Sequence, residues 1–209
     1  MAAALAAALV AGCNVLAPKP DVARYYRLDA LSAKILPAPP PDPTLALAVF
    51  PVDVAAYLDR PQMITVVNGG QVNPDEYHRW AEPLESGFSR VLAQDIGLLS
   101  DSTHVAAFPL SPGFGQEFEV YAQVQQFDGT PGGSVTLRVS WRITGLGGKP
   151  NYVVPVHETT FTRRCEASAD PAVAYISTLN SLIGDLAKEI VGSMPAARAA
   201  KAAHTPGSP

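Results

Sequence analysis

Phe118, Val120, Ala122 and Val124 alternate with Glu119, Tyr121, Gln123 and Gln125. After Gly129-Thr130-Pro131-Gly132-Gly133 the alternation returns, with Val135, Leu137, Val139, Trp141 and Ile143 set against Thr136, Arg138, Ser140, Arg142 and Thr144. A period of two puts the apolar side chains of each arm on one side of the pleat. The two arms therefore predict an antiparallel hairpin with one dry and one wetter face. Gly145–Pro150 reads as a second turn, and Tyr152–Arg164 as the third strand of a meander. The rest of the chain must supply an apolar cover for the dry face.

Two stretches can do so. Leu84, Phe88, Val91, Leu92, Ile96 and Leu99 recur at helical spacing, which predicts a helix from about Pro83 to Leu99. Asp170-Pro171 is a cap followed by a first-turn proline. It opens a helix whose apolar face is Tyr175, Ile176, Leu179, Leu182, Ile183, Leu186 and Ile190, and Pro195 is expected to close it. Asn73-Pro74-Asp75-Glu76 carries similar start signals and predicts a short additional helix before Pro83. Arg24–Leu28 reads as a short strand. Pro37, Pro39, Pro40, Pro41 and Pro43 make an extended loop, and the nearly unbroken apolar run Leu45–Val52 reads as a strand buried on both faces. The expected fold class is α+β: a single domain, with a mostly antiparallel sheet and two long amphipathic helices packed on one face.

The N-terminus bears on where the chain resides. MAAALAAALVAG is apolar and small, and too short to span a bilayer as a helix, which takes about 20 residues. Val10-Ala11-Gly12-Cys13 resembles a bacterial lipobox. On that reading residues 1–12 are a signal peptide, Cys13 is lipidated, and residues 13–23 are a lipidated tether. The competing reading is a soluble chain with an Ala-rich start. Asn14 follows the cysteine where an Asp would resemble an inner-membrane retention signal, so the outer membrane, facing the periplasm, is expected. The folded domain is expected over 24–194, with 195–209 a disordered tail.

Composition excludes some functions. The net charge of −4 and pI of about 5.5 argue against a nucleic-acid partner, which needs a clustered basic surface. The four His are scattered and the two Cys lie far apart, so no metal or other cofactor is implied. Cys165 reads as an inert, partly buried thiol rather than a reactive nucleophile. His78 and Glu82 lie four apart but lack a third ligand. Glu82 and Glu85 are a weak carboxylate pair, of the kind that usually faces water. Gly147-Gly148-Lys149-Pro150 is a turn rather than a phosphate loop, and no serine sits in a nucleophile elbow. The residues show no enzyme.

Several stretches together resemble a known family. They are Val10–Cys13, Tyr25-Tyr26-Arg27-Leu28, VDVAAYLDRPQMITVVN (52–68), HRWAEPLESGFSRVLAQDI (78–96), FEVYAQVQQFDG (118–129), LRVSWRI (137–143) and YISTLNSLIGDLAKEI (175–190). Their order and spacing are similar to the ABC-type transport auxiliary lipoproteins, the family of PqiC. YLDRPQM and WAEPL are the most specific pieces. The resemblance implies an outer-membrane lipoprotein that works with an MCE-domain protein and its ABC permease and ATPase in lipid transport between membranes. It implies a non-enzymatic docking and anchoring part. A periplasmic lipid-binding carrier is the alternative.

Within YLDRPQM, Tyr57, Asp59, Arg60 and Gln62 are the candidate partner-docking residues, together with Trp80. A structural role competes for each: Asp59 and Arg60 as local pairs, Pro61 as the turn, Trp80 as cover for the sheet edge, and Glu82 as an acceptor for Arg60 or nearby backbone. The loop would equally suit a neighbouring copy in a homo-oligomer.

Overall fold

The structure, a computed structural model, describes residues 22–32, 39–67, 70–146 and 152–204. The expected signal, Cys13, Asn14 and most of the expected tether lie outside them, as do residues 205–209. In chain order the elements are β1 (Arg24–Tyr26), β2 (Leu47–Val49), β3 (Asp53–Val54), β4 (Gln62–Val67) and β5 (Gln71–Trp80). Then come α1 (Leu84–Ser100), β6 (Val105–Ala107), β7 (Phe118–Gly129), β8 (Ser134–Gly145), β9 (Tyr152–Arg164) and α2 (Pro171–His204).

The hairpin forms the frame. β7 and β8 pair antiparallel from Phe118↔Gly145 to Gly129↔Val135, and β9 adds to the far edge of β8. The turn needs glycine at 129, because a Cβ there would lie 2.2 Å from the Ser134 carbonyl oxygen. On the other side of β7 the apolar run supplies β2, which is parallel both to β7 and to β6. The larger sheet has the order β6-β2-β7-β8-β9, with β3 pairing further along β7. It is mixed but largely antiparallel, and the fold is α+β as expected. Leu47, Ala48 and Val49 are all buried, as a two-sided strand requires.

Both helices lie on the dry face, α1 against β2 and β6, and α2 against β8 and β9. Every residue of the predicted α1 stripe is buried, and Phe88 meets Phe127 edge-on at 5.3 Å between ring centres. Each such large side chain contributes about 1.5–3 kcal/mol by leaving water. Asp170 caps α2 by accepting the Ala172 and Val173 N–H groups at 3.1 and 3.3 Å. Cys165 is buried.

Two expectations are corrected. Asn73–Glu76 does not start a helix; it lies inside β5, which pairs with β4 and β1 in a second, three-stranded sheet of order β1-β5-β4. Backbone pairing along Met63–Val67 overrides the local capping signals. Those signals are used differently. The register jumps from Gln62↔Arg79 to Met63↔Asp75, so β5 bulges, and the Asp75 carboxylate accepts the Tyr77 and His78 N–H groups at 2.8 and 3.1 Å. Pro74 is tolerated because β1 pairs only with His78–Trp80, leaving that half of β5 an edge.

The second correction concerns Pro195, which does not end α2; the helix runs through it to His204, so 195–204 is not a disordered tail. A mid-helix proline costs about 3 kcal/mol. Here the following turn is docked. Ala197 is buried, Arg198 reaches Asp42 at 2.9 Å and Glu117 at 3.3 Å, and Lys201 reaches Glu117 at 2.9 Å. The small sheet is fastened to this frame by the Tyr175 hydroxyl, which donates to the Ile64 carbonyl at 2.8 Å, and by Thr130 Oγ1 to Val66 at 2.7 Å.

Candidate docking site

After β3 the chain turns tightly. Leu58 N–H donates to the Ala55 carbonyl and Arg60 N–H to that of Leu58, both at 2.8 Å. Leu58 is buried and anchors the turn, while Asp59, Arg60 and Pro61 stand exposed. The Pro61 carbonyl then accepts the Trp80 N–H at 2.7 Å, and the Tyr26 carbonyl accepts the Ala81 N–H at 2.7 Å. Trp80-Ala81 is thus clamped between the YLDRP turn and β1. Pro83, at the cap position of α1, has φ −52° and ψ 134° and turns the chain into the helix.

These clamps bring the two most specific sequence pieces together around one open cleft of about 340 Å3. Asp59, Arg60 and Pro61 form one wall; Trp80, Ala81, Glu82, Pro83 and Leu84 form the other. The lining is mainly apolar. Trp80 is 8% exposed and Leu84 is buried beneath the cleft. Glu82 does not bind Arg60. Its Oε1 accepts Arg90 Nη2 at 2.5 Å, and the same guanidinium donates to the Leu28 carbonyl at 2.8 Å. With Glu82 neutralised, Asp59 and Arg60 are the cleft's available charges, and neither makes an ion pair among the described residues.

The other predicted docking residues sit elsewhere. The Tyr57 hydroxyl turns inward and donates to Asp128 Oδ2 at 2.5 Å, while Asp128 Oδ1 accepts from Gln126 at 2.9 Å. Burial, and then the Asp128 carboxylate, push the Tyr57 phenol well above its ordinary range. The Tyr57 hydroxyl therefore fixes the loop to β7, while the half-buried ring lines a separate groove with Val66, Val72 and Gln126. Gln62 is half-buried at the start of β4, opposite Arg79, and does not line the cleft.

His78 does not join Glu82. Its Nδ1 meets Asp75 Oδ2 at 2.8 Å and its ring stacks on Tyr26 at 5.6 Å. Burial alone would raise the Asp75 carboxyl, but the Tyr77 amide and the His78 ring hold it below its usual value. No group of three or more His, Cys, Asp or Glu side chains that could hold a metal occurs among the described residues.

Two functional details escaped the sequence reading. Arg90 lies off the apolar stripe, yet it ties Glu82 to Leu28. Asp95 is fully buried and accepts the Leu31 N–H at 2.8 Å. The available signal was its place between Leu92 and Leu99, on the stripe itself.

Among solved structures the chain is similar to protein XCC0632 from Xanthomonas campestris, described by the family model DUF330. Identity is 16%, the match covers 83% of this chain and 98% of that one, and the TM-score is 0.63. An uncharacterized protein aligns at 16% identity over 83% of this chain and 99% of its own, with a TM-score of 0.62. Both likenesses speak to the fold. No curated protein matches the chain. No helix among the described residues is long and apolar enough to cross a membrane. The model of the ABC-type transport auxiliary lipoprotein component matches residues 26–191, which span both walls of the cleft, the meander and both helices up to Val191. The chain belongs to the family of ABC-type transport auxiliary lipoprotein components.

Proposed function

We propose that the chain is a non-enzymatic anchoring and docking component of an MCE-type intermembrane lipid transport system. It is held in the outer membrane through lipidated Cys13 and faces the periplasm, with the MCE-domain protein docking in the cleft between Arg60 and Trp80. One observation carries this reading: YLDRP and WAEPL, far apart in sequence, are clamped into one apolar cleft whose Arg60 and Asp59 have no ion pair among the described residues. An apolar recess flanked by accessible charge suits an anchored protein contact, with Arg60 and Trp80 as the anchor types. Family membership supplies the ABC transport setting.

The test is reconstitution of the lipidated full chain with an MCE-domain protein of the same organism. Arg60→Ala should fold normally and weaken the complex at least about tenfold, the scale of one lost interfacial anchor. A folded Arg60→Ala chain that binds as tightly as wild type would remove the cleft from the interface.

A further inference from the structure

The face of the larger sheet that points away from the helices carries a row of stacked side chains across four neighbouring strands. Phe108, just past β6, stacks on Phe50, just past β2, at 5.6 Å; Phe50 stacks on Tyr121 of β7 at 4.7 Å. Arg142 of β8 closes the row with its guanidinium carbon 4.6 Å from the centre of the Tyr121 ring. Phe108 is 49% exposed and Val156, on β9, 61%. A groove of about 330 Å3 runs beside the row, with Pro51, Asp53, Tyr121, Arg142 and Val156 among its walls. None of these residues lines the Arg60–Trp80 cleft.

We propose that this groove is a second docking site, for a segment of a protein partner in which a single carboxylate side chain is flanked by apolar ones.

The guanidinium selects the carboxylate. Arg142 makes no ion pair among the described residues, and its Nε–H is buried with no acceptor. A guanidinium is planar and suits a two-pronged contact with an oxyanion, and the Tyr121 ring beneath Arg142 helps fix its position. Half-exposed Phe108, with the partly exposed Phe50 and Tyr121, supplies the apolar contact, since clustered aromatic surface marks interaction sites. Nearby acids limit the charge the groove accepts. Asp53 stands on its wall, and the buried Glu119 accepts the Tyr121 hydroxyl at 3.0 Å. With those carboxylates and a net charge of −4, a polyanion is repelled where one carboxylate at Arg142 is not.

The test titrates the isotope-labelled full chain with acetyl-Leu-Asp-Leu-amide, following the Arg142 Nε–H and Tyr121 ring signals by NMR. The Asp peptide should shift them saturably. The matched Asn peptide should bind about tenfold more weakly, and inorganic phosphate should not compete. R142Q should abolish the shift at Tyr121. R142K keeps the charge without the plane; it should weaken binding and serves as the test should R142Q not fold. Equal binding of the Asp and Asn peptides, equal competition by phosphate, binding unchanged in either folded variant, or no saturable shift would each overturn the proposal.

Discussion

Asp95 offers a quantitative test of how α1 is held. The side chain is fully buried; one oxygen accepts the Leu31 N–H at 2.8 Å and the other has no partner among the described residues. Burial pushes the carboxyl from 3.8 up to about 6, and the Leu31 N–H offsets that only in part. The sign follows directly. The folded state holds its proton more tightly than the unfolded state, so the folded chain binds more protons between about pH 4 and pH 6. Stability contributed at Asp95 is therefore lost as pH rises through that window and is level above it. At about 1.4 kcal/mol per pH unit, the loss is up to about 3 kcal/mol.

Asp95→Asn has nearly the same shape, keeps an oxygen for Leu31, and never ionises. Any packing or hydrogen-bond cost of the amide is the same at every pH. The stability difference between variant and wild type should therefore move by up to about 3 kcal/mol in the variant's favour between pH 4 and pH 7.5. Urea unfolding at half-unit pH steps, with both chains in the same buffers, measures it. A difference that stays flat across the window, or moves in favour of wild type as pH rises, refutes the reasoning.

Tyr57→Phe leaves a buried Asp128 oxygen without its donor and should cost about 1–3 kcal/mol in urea unfolding, while binding at the Arg60 cleft persists in the folded fraction. Gly184→Ala places a Cβ 1.9 Å from Leu31 Cδ1 and should destabilise by about 1–3 kcal/mol, with the loss partly restored by Leu31→Ala; a double-mutant cycle reads the coupling. Truncation after Met194 removes the Arg198 and Lys201 ion pairs and the burial of Ala197, and should lower the thermal midpoint measurably; a tail without contacts would leave it unchanged. Cys13→Ala should abolish incorporation of a labelled fatty-acid analogue and release the chain from membranes.

Much of the scaffold was legible. The alternation in 118–144 marked the hairpin, and the stripe from Leu84 to Leu99 marked α1, because both patterns are imposed by backbone geometry on any sequence that buries one face. The start of α2 was readable from Asp170-Pro171 for the same local reason. The Arg60–Trp80 cleft was half legible. Asp59, Arg60 and Trp80 do share one cleft, but Tyr57 and Gln62 belong to the framework, and nothing in their spacing says which way the loop rotates. That direction is set by Asp128, distant in sequence. Arg90 was hidden too, since an arginine off an apolar stripe has the same local signature whether it meets water or a buried carbonyl.

The sequence alone determined the periodicity of each long element, the sites where chain direction reverses, and the Val10–Cys13 motif, all of which depend on neighbours within a few residues. Tertiary structure decided the rest. Asn73–Glu76 carries helix-start chemistry yet becomes strand, because β4 offers its backbone a continuous partner. Pro195 carries helix-stop chemistry yet is passed over, because Asp42 and Glu117 hold the turn beyond it. Local signals of about 1 to 3 kcal/mol yield wherever a distant segment supplies more, and only the folded chain shows which segments meet.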